Sequence, residues 1–310
     1  MTNDRSPMAK SMRDAFGAAM LELGKANPSV LALTADLGPS VRLTEFAREF
    51  PERYFNVGVA EANLIGLGAG LALEGFIPFC ASFAVFVSGR CFDQIRVSVC
   101  QNKANVKLVG SHLGFTNAGD GATAQSIEDI ALMRTLPGMT IICPADAREV
   151  KKAVFKMAEI PGPMYLRLSR AETPVFTPEA AKFEIGQAQV LRAGKKVTIV
   201  ACGSLVYAAL EAAEKIDGEV ISLSTIKPLD KETVLTSAKK TGRVLTLEEH
   251  SIYGGMGSAV AEFLSQEYPV PVKIIGIPDV FGESARSYQE LLDKYGLTTE
   301  NMVKIADGFK

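Results

Sequence analysis

The sequence predicts an α/β protein of two three-layer domains, the first built on a mainly parallel sheet and the second smaller. Three observations predict it. Short, continuous apolar runs alternate with longer stretches of helical spacing along most of the chain. Strands that alternate with helices in this way pair in parallel and carry helices on both faces. The alternation lapses once, over 171–186, where Pro174 and Pro178 stand in a stretch without a period. The 310 residues therefore divide into a first domain over 1–170, a linker over 171–186 and a second domain over 187–310.

Each element follows in turn. Residues 9–26 have helical spacing, and VLALT (30–34) reads as a buried strand. A helix near 42–50 leads to the strand YFNVG (54–58). A helix over 61–74, the strand IPFCAS (77–82), a helix over 84–101 and the strand VKLVGS (106–111) come next. After a Gly-rich loop, the reading is a helix near 126–135, the strand TIICP (140–144), a helix near 146–158 and the strand MYLRL (164–168). Beyond the linker, strands at 196–202, 219–224, 243–249 and 272–278 alternate with helices near 205–216, 231–240 and 254–266.

Composition narrows the function. The chain is 47% hydrophobic and 22% charged, enough to bury a core and too apolar for disorder. Its 33 Lys+Arg against 35 Asp+Glu leave a net charge of −2, which argues against bulk binding to nucleic acid or membrane and leaves room for a local basic pocket. The five cysteines (Cys80, Cys91, Cys100, Cys143 and Cys202) form no C-x-x-C pair. Reduced, buried thiols in a cytoplasmic protein are the expectation, with no metal site on this chain. The N-terminal MTNDRSPMAKSMRD lacks the apolar core of a signal peptide. The apolar stretch 57–73 is short for a membrane span and carries Glu61, which lipid would penalise.

Ligands of open parallel sheets sit at the carboxyl ends of the strands. Those loops hold Asp36 to Ser40, Glu61, Ser82 with Phe83, His112 to Gln125, and Ser169 with Arg170. Glu61 is the sole charged residue between Val57 and Leu73, and it opens a helix. Spacing alone favours a carboxylate stabilised by the helix dipole. The other reading is a carboxyl of raised pKa that can hold a proton at neutral pH. Phe83, Phe86 and Phe92 present an aromatic face, for which core packing is the ordinary account. The loop 111–129 is long enough to suggest function, yet its Gly119-Asp120-Gly121 has no flanking P-loop or dinucleotide pattern. Before the helix near 254–266, GGMGS reads as a tight turn capped by Ser258 rather than an anion site.

These residues carry a resemblance. TADLGPS (34–40), VAEAN with Glu61, SFxxF (82–86), the SH…GDGxTxQ run (111–125) and LSR (168–170) are similar to the transketolase family of the thiamine-diphosphate superfamily. IKPLD (226–230) and EEHSIYGGMGS (248–258) resemble the C-terminal domain of the same superfamily. The resemblance implies a pyrimidine-binding domain followed by a transketolase C-terminal-type domain. The family's Mg²⁺ and diphosphate signature, GDG followed by a downstream Asn, is absent. After Asn117 the next Asn is Asn301. The chain thus looks like the C-terminal subunit of a split transketolase, working with an N-terminal partner subunit that holds most of the Mg²⁺, as an α2β2 assembly.

The resemblance also implies roles. Glu61 bonds the aminopyrimidine of thiamine diphosphate and promotes the tautomer that deprotonates the thiazolium. Phe83 and Phe86 contact the pyrimidine ring, and Asp36 lies near the cofactor. Arg13, Ser40, His112, Asp120 and Arg170 bind the sugar phosphate; two guanidiniums, a hydroxyl and an imidazole suit an anion. Three positions depart from the family: Gly89 stands where a third aromatic is usual, Ala124 where a substrate-contacting His is usual, and Ala62 where His is common. The implied activity moves a two-carbon ketol unit from a ketose phosphate to an aldose phosphate. The alternatives are a 1-deoxyxylulose-5-phosphate synthase-like or 2-oxoacid dehydrogenase E1 beta-type subunit, toward which Ala124 and FDQI (92–95) weigh. A non-catalytic regulatory subunit is a third reading, against which Glu61 weighs.

Overall fold

The computed structural model describes residues 7–309. Residues 1–6, part of the stretch read above as no signal peptide, and Lys310 lie outside the described residues. β1 (Ala9–Ser11) enters α1 (Met12–Ala26), where the Ser11 hydroxyl accepts the Asp14 amide and caps the helix. There follow β2 (Val30–Thr34), α2 (Thr44–Glu49), β3 (Tyr54–Asn56), α3 (Glu61–Leu73) and β4 (Ile77–Phe83). The helix expected over 84–101 is not regular. A short α4 (Phe92–Gln94) is flanked by π-wound turns at Phe86–Arg90 and Ile95–Gln101. Such turns are rare and gather at functional sites.

The first domain continues with β5 (Lys107–Ser111), α5 (Asp129–Arg134), β6 (Thr140–Ile142), α6 (Ala147–Glu159) and β7 (Met164–Leu168). α5 starts later than the spacing predicts because residues 112–128 stay in a loop. The linker is structured in part: β8 (Glu172–Pro174) pairs antiparallel with β1. The Asp146 carboxylate that caps α6 also accepts the Phe176 and Thr177 amides. The second domain holds β9 (Gln189–Arg192), β10 (Val197–Ala201), α7 (Val206–Ile216), β11 (Gly218–Ser222), β12 (Thr225–Lys227), α8 (Lys231–Thr241), β13 (Val244–Ser251), α9 (Met256–Glu267) and β14 (Val272–Ile277). α10 (Tyr288–Lys294) and α11 (Thr299–Asp307) close it.

The first sheet has the order β12-β6-β7-β5-β4-β2-β3, and every pair is parallel except β12 with β6. Its central strands β2, β5 and β7 are buried at every residue, as apolar runs covered on both faces must be. The second sheet runs β14-β13-β10-β11-β9, with β9 antiparallel. β12 therefore crosses from the second domain to extend the first sheet. α1 and α6 pack on one face of that sheet. On the other face, α3 and the 86–101 segment share a core with side chains of the second domain, Cys202 and Ile221 among them.

A polar seam joins the two domains. Arg167 on β7 donates from Nε and Nη2 to Asp129 at 2.7 and 3.0 Å. Tyr165 adds its hydroxyl to the same carboxylate at 2.7 Å. Arg167 Nη2 also reaches the Glu249 carbonyl on β13 at 2.8 Å. Ser224 donates to Glu149 at 2.7 Å, and Lys227 Nζ donates to the Arg134 and Leu136 carbonyls. All five cysteines are buried and free. No described helix is long and apolar enough to cross a membrane.

Candidate active site

The carboxyl ends of β2, β4, β5 and β7 bring most of the expected residues to one edge. Glu61 opens α3, and its side chain is 4% exposed. The sequence surrounds it with apolar neighbours, but the fold adds Arg90, whose Nη1 donates to Glu61 Oε2 at 2.9 Å. From there a continuous run of contacts crosses the edge. The Arg90 guanidinium lies 4.3 Å from the Phe86 ring centroid. Phe86 stacks on Phe83 at 5.5 Å with an 11° tilt. Phe83 stacks on the His112 ring at 3.7 Å. His112 Nε2 meets Arg13 Nη1 at 3.5 Å, and that same Nη1 donates to the Ser40 carbonyl at 2.8 Å.

Other expected residues sit differently. Ser40 contributes its carbonyl to Arg13. Asp36 stands apart from the run and exchanges hydrogen bonds with Asn56: its amide donates at 2.9 Å and its carboxylate accepts at 3.2 Å. Asp120 pairs with Arg170 at 3.4 Å, both about half exposed. At Gly89, the expected aromatic position, no atom lies within 4 Å of where a Cβ would be, so that side of the ring slot is open. In GGMGS three amides are already taken. The Glu248 carboxylate accepts the Met256 and Gly257 amides at 2.6 and 2.7 Å, and so takes the capping place expected for Ser258. Ser258 instead accepts the Gly254 amide and donates to the Ile252 carbonyl.

The electrostatics of the edge are unusual. Arg13, Arg42 and Arg170 face one another, and two of them hold carboxylates, Arg42 with Asp14 and Arg170 with Asp120. Arg13 is in no ion pair among the described residues, and its buried Nε has no hydrogen-bond partner. Burial, then Arg42 and Arg170, pull its pKa down to about 10. Burial and the same three guanidiniums push His112 down to about 3, so its imidazole is neutral at pH 7. Arg13 can only donate, so Nε2 accepts and Nδ1 carries the proton toward Ser111 Oγ at 2.8 Å.

Backbone strain gathers here as well. Five described non-glycine residues have left-handed φ, and Asp36, Arg42 and His112 are three of them. Strain of that kind concentrates at ligand clamps. The buried hydroxyls of Thr34 and Ser82, at the ends of β2 and β4, also lack partners. A neutral imidazole and an unpaired guanidinium beside an aromatic pair suit a polar, anionic ligand. No group of three or more His, Cys, Asp or Glu among the described residues is placed to hold a metal.

Sequence reasoning missed Arg90 and Arg42. Arg90 carried one signal, its position four residues after Phe86, a helical spacing that sets a cation over a ring. Arg42 carried none, because its place depends on a left-handed turn.

Comparison with known proteins accords with this geometry. "Transketolase, pyrimidine binding domain" matches residues 8–175, and "Transketolase, C-terminal domain" matches 186–302. The 6-deoxy-6-sulfo-D-fructose transketolase subunit SqwH of Clostridium sp. is 42% identical over 300 residues, covering 95% of this chain and 93% of that protein. One of the subunits of the apulose-4-phosphate transketolase of Phocaeicola vulgatus is 40% identical, covering 96% and 98%. A 1-deoxy-D-xylulose-5-phosphate synthase of Pelotomaculum thermopropionicum is 39% identical, covering 94% of this chain and 47% of that protein. A solved split-gene transketolase, described as an inactive β4 tetramer, superimposes with a TM-score of 0.89 at 48% identity, covering 96% of this chain and 97% of that one. The chain belongs to the transketolase family and carries its pyrimidine-binding and C-terminal domains.

Proposed function

We propose that this chain is the C-terminal subunit of a split, thiamine-diphosphate-dependent transketolase. The residues fit the aminopyrimidine half of that cofactor. A buried carboxylate borders an aromatic slot open beside Gly89. Asp36 is proposed to lie beside the cofactor. The cofactor's diphosphate and Mg²⁺ are assigned to an N-terminal partner subunit, two copies of each chain forming the enzyme. The relatives named as transketolase subunits support that division.

Thiamine diphosphate, when bound, supplies an electron sink for breaking and remaking a bond next to a carbonyl. Glu61 would hold the proton shared with the aminopyrimidine ring nitrogen; Arg90 engages Oε2 alone, which leaves Oε1 for that bond. Phe83 and Phe86 orient the ring. Arg13, Arg170 and neutral His112 bind the phosphate, with the Ser40 segment and Asp120 fixing the two guanidiniums. In balance, the ketose phosphate gives up a two-carbon ketol unit and leaves as a shorter aldose; the acceptor aldose phosphate becomes the longer ketose. Ala124 and Gly89 leave room where the family has larger side chains. That room, and the names of the relatives, extend the donor list to 6-deoxy-6-sulfofructose and apulose 4-phosphate.

One observation carries the proposal: Glu61 and the three guanidiniums stand at opposite ends of a single aromatic run. The test is turnover of this chain alone and mixed with an N-terminal subunit. Donors would be ketose phosphates, the two named sugars and pyruvate. Ketol transfer only in the mixture is expected. Turnover from pyruvate would favour the deoxyxylulose-phosphate synthase-like reading, and turnover by the chain alone would remove the partner.

A further inference from the structure

The EEHSIYGGMGS motif lies in the second domain and has no part in the reaction described above. Its first carboxylate caps α9. Its second, Glu249, reaches out of its own domain. Glu249 stands near the end of β13 and is 1% exposed. Oε1 accepts the Phe115 amide at 2.6 Å, and Oε2 accepts Ser204 Oγ at 2.9 Å and the Tyr288 hydroxyl. Both oxygens are therefore engaged, one of them by the backbone of the other domain's long loop.

We propose that Glu249 is a positioning residue that holds the His112–Ser126 loop in its ligand-binding shape. The proposal rests on the reading of that loop as part of the phosphate site. The loop satisfies several of its own amides, those of Gly114, Thr116, Asp120 and Ala124, but the Phe115 amide takes its partner from outside it. Around the Phe115 amide the fit is close. Gly114 has a left-handed φ of +50°, and a Cβ there would lie 2.4 Å from Glu249 Oε1. The Phe115 ring stacks on Tyr295 at 4.7 Å. The next residue, Thr116, accepts the Arg170 amide at 3.2 Å. His112 lies three residues upstream of the braced amide, and Asp120, the partner of Arg170, lies five downstream. The brace thus stands beside Thr116, which holds Arg170, and within five residues of His112 and Asp120.

The chemistry favours a brace that works in either protonation state. Burial pushes the Glu249 carboxyl up to about 7, against the pull of Tyr288, Arg167, the Phe115 amide and Ser204. Neutral or charged, it keeps an oxygen for the Phe115 N–H. Glutamine keeps one too, and alanine does not.

The test compares wild type, Glu249→Gln and Glu249→Ala by backbone amide hydrogen exchange on the full chain, which needs no substrate or partner. Loss of one buried hydrogen bond predicts about tenfold faster exchange over 112–126 in Glu249→Ala. β2, β4 and β5 should be unchanged, and Glu249→Gln should stay close to wild type. With the N-terminal subunit present, KM for a phosphorylated donor should rise about tenfold in Glu249→Ala on the same grounds, with kcat little changed. Unchanged loop exchange in a folded Glu249→Ala overturns the proposal. So does exchange that rises evenly across both domains, which would make Glu249 a domain fastener only. A loosened loop with unmoved KM also overturns it, by separating the brace from the ligand; the transketolase reading, tested through Glu61, would stand. If Glu249→Ala does not fold, Gly114→Ala is read in the same way. It displaces the loop and leaves the carboxylate in place.

Discussion

The seam between the domains and the loop edge above it treat charge in opposite ways. In the seam, Arg167 and Asp129 are 1% and 0% exposed, joined by two bonds and sealed by Tyr165. Burial opposes both charges, yet each partner favours the other's charged form, Asp129 shifted down and Arg167 up. At the edge, three guanidiniums crowd a neutral imidazole, and the most buried of them holds no carboxylate. A seam built this way has nothing left to bind. An edge built this way holds repulsion that an incoming anion would relieve. The difference separates charges already paired within the fold from charges proposed to meet a ligand.

Five substitutions would break or sharpen that contrast. The largest effect is expected at Glu61. Glu61→Ala should lower kcat of the assembled enzyme by about 10²–10⁴-fold, the usual weight of a proton-transfer group. Its thermal unfolding should barely move, because the freed Arg90 is 49% exposed and stays hydrated. Unchanged turnover would end the mechanistic assignment. Asp129→Ala should do the reverse in character. It strands a buried guanidinium, and urea unfolding should register a loss of about 3–5 kcal/mol. A loss below about 1 kcal/mol, the level of a surface pair, would mean the seam is not a structural commitment.

Arg13 should separate the two quantities within one residue. Arg13→Met removes a guanidinium from between two others, so unfolding should be unchanged or slightly later. KM for a phosphorylated donor should rise about tenfold, in line with a lost charge-assisted hydrogen bond. Arg170→Ala should raise KM for phosphorylated donors and leave free sugars alone; equal effects on both would remove it from the clamp. A further effect concerns pH. The His112 imidazole ionises near 3 in the folded chain and near 6.5 in the unfolded one, so between those values the unfolded chain holds more protons. His112 therefore costs stability as pH falls from about 6.5 toward 3. His112→Asn tolerates the left-handed backbone and should flatten that part of the stability curve, read by denaturant midpoints at pH 4 and 7.

Much of the scaffold was legible because local chemistry specifies it. VLALT and MYLRL could only be covered strands, and Glu61 had to open a helix. The carboxyl-end loops followed from strand direction. β12 was not legible: three residues have no period, and they join the other domain's sheet. β8 hid in the linker for the same reason, pairing with β1 across most of the first domain. The segment 84–101 has the apolar spacing of a regular helix, and that spacing does not distinguish an α-turn from a π-turn.

What the sequence determined by itself were the properties that neighbours in the chain impose: element type, strand ends, the loops at the carboxyl edge and the residue types those loops display. What the tertiary structure alone decided is which charges meet. Arg90 reaches Glu61 across 29 positions, Asp129 reaches Arg167 across 38, and Phe115 reaches Glu249 across 134. Those pairings depend on through-space distances of a few ångströms between segments whose separation along the chain has no period. No spacing rule carries them, and the site's charge state follows from them.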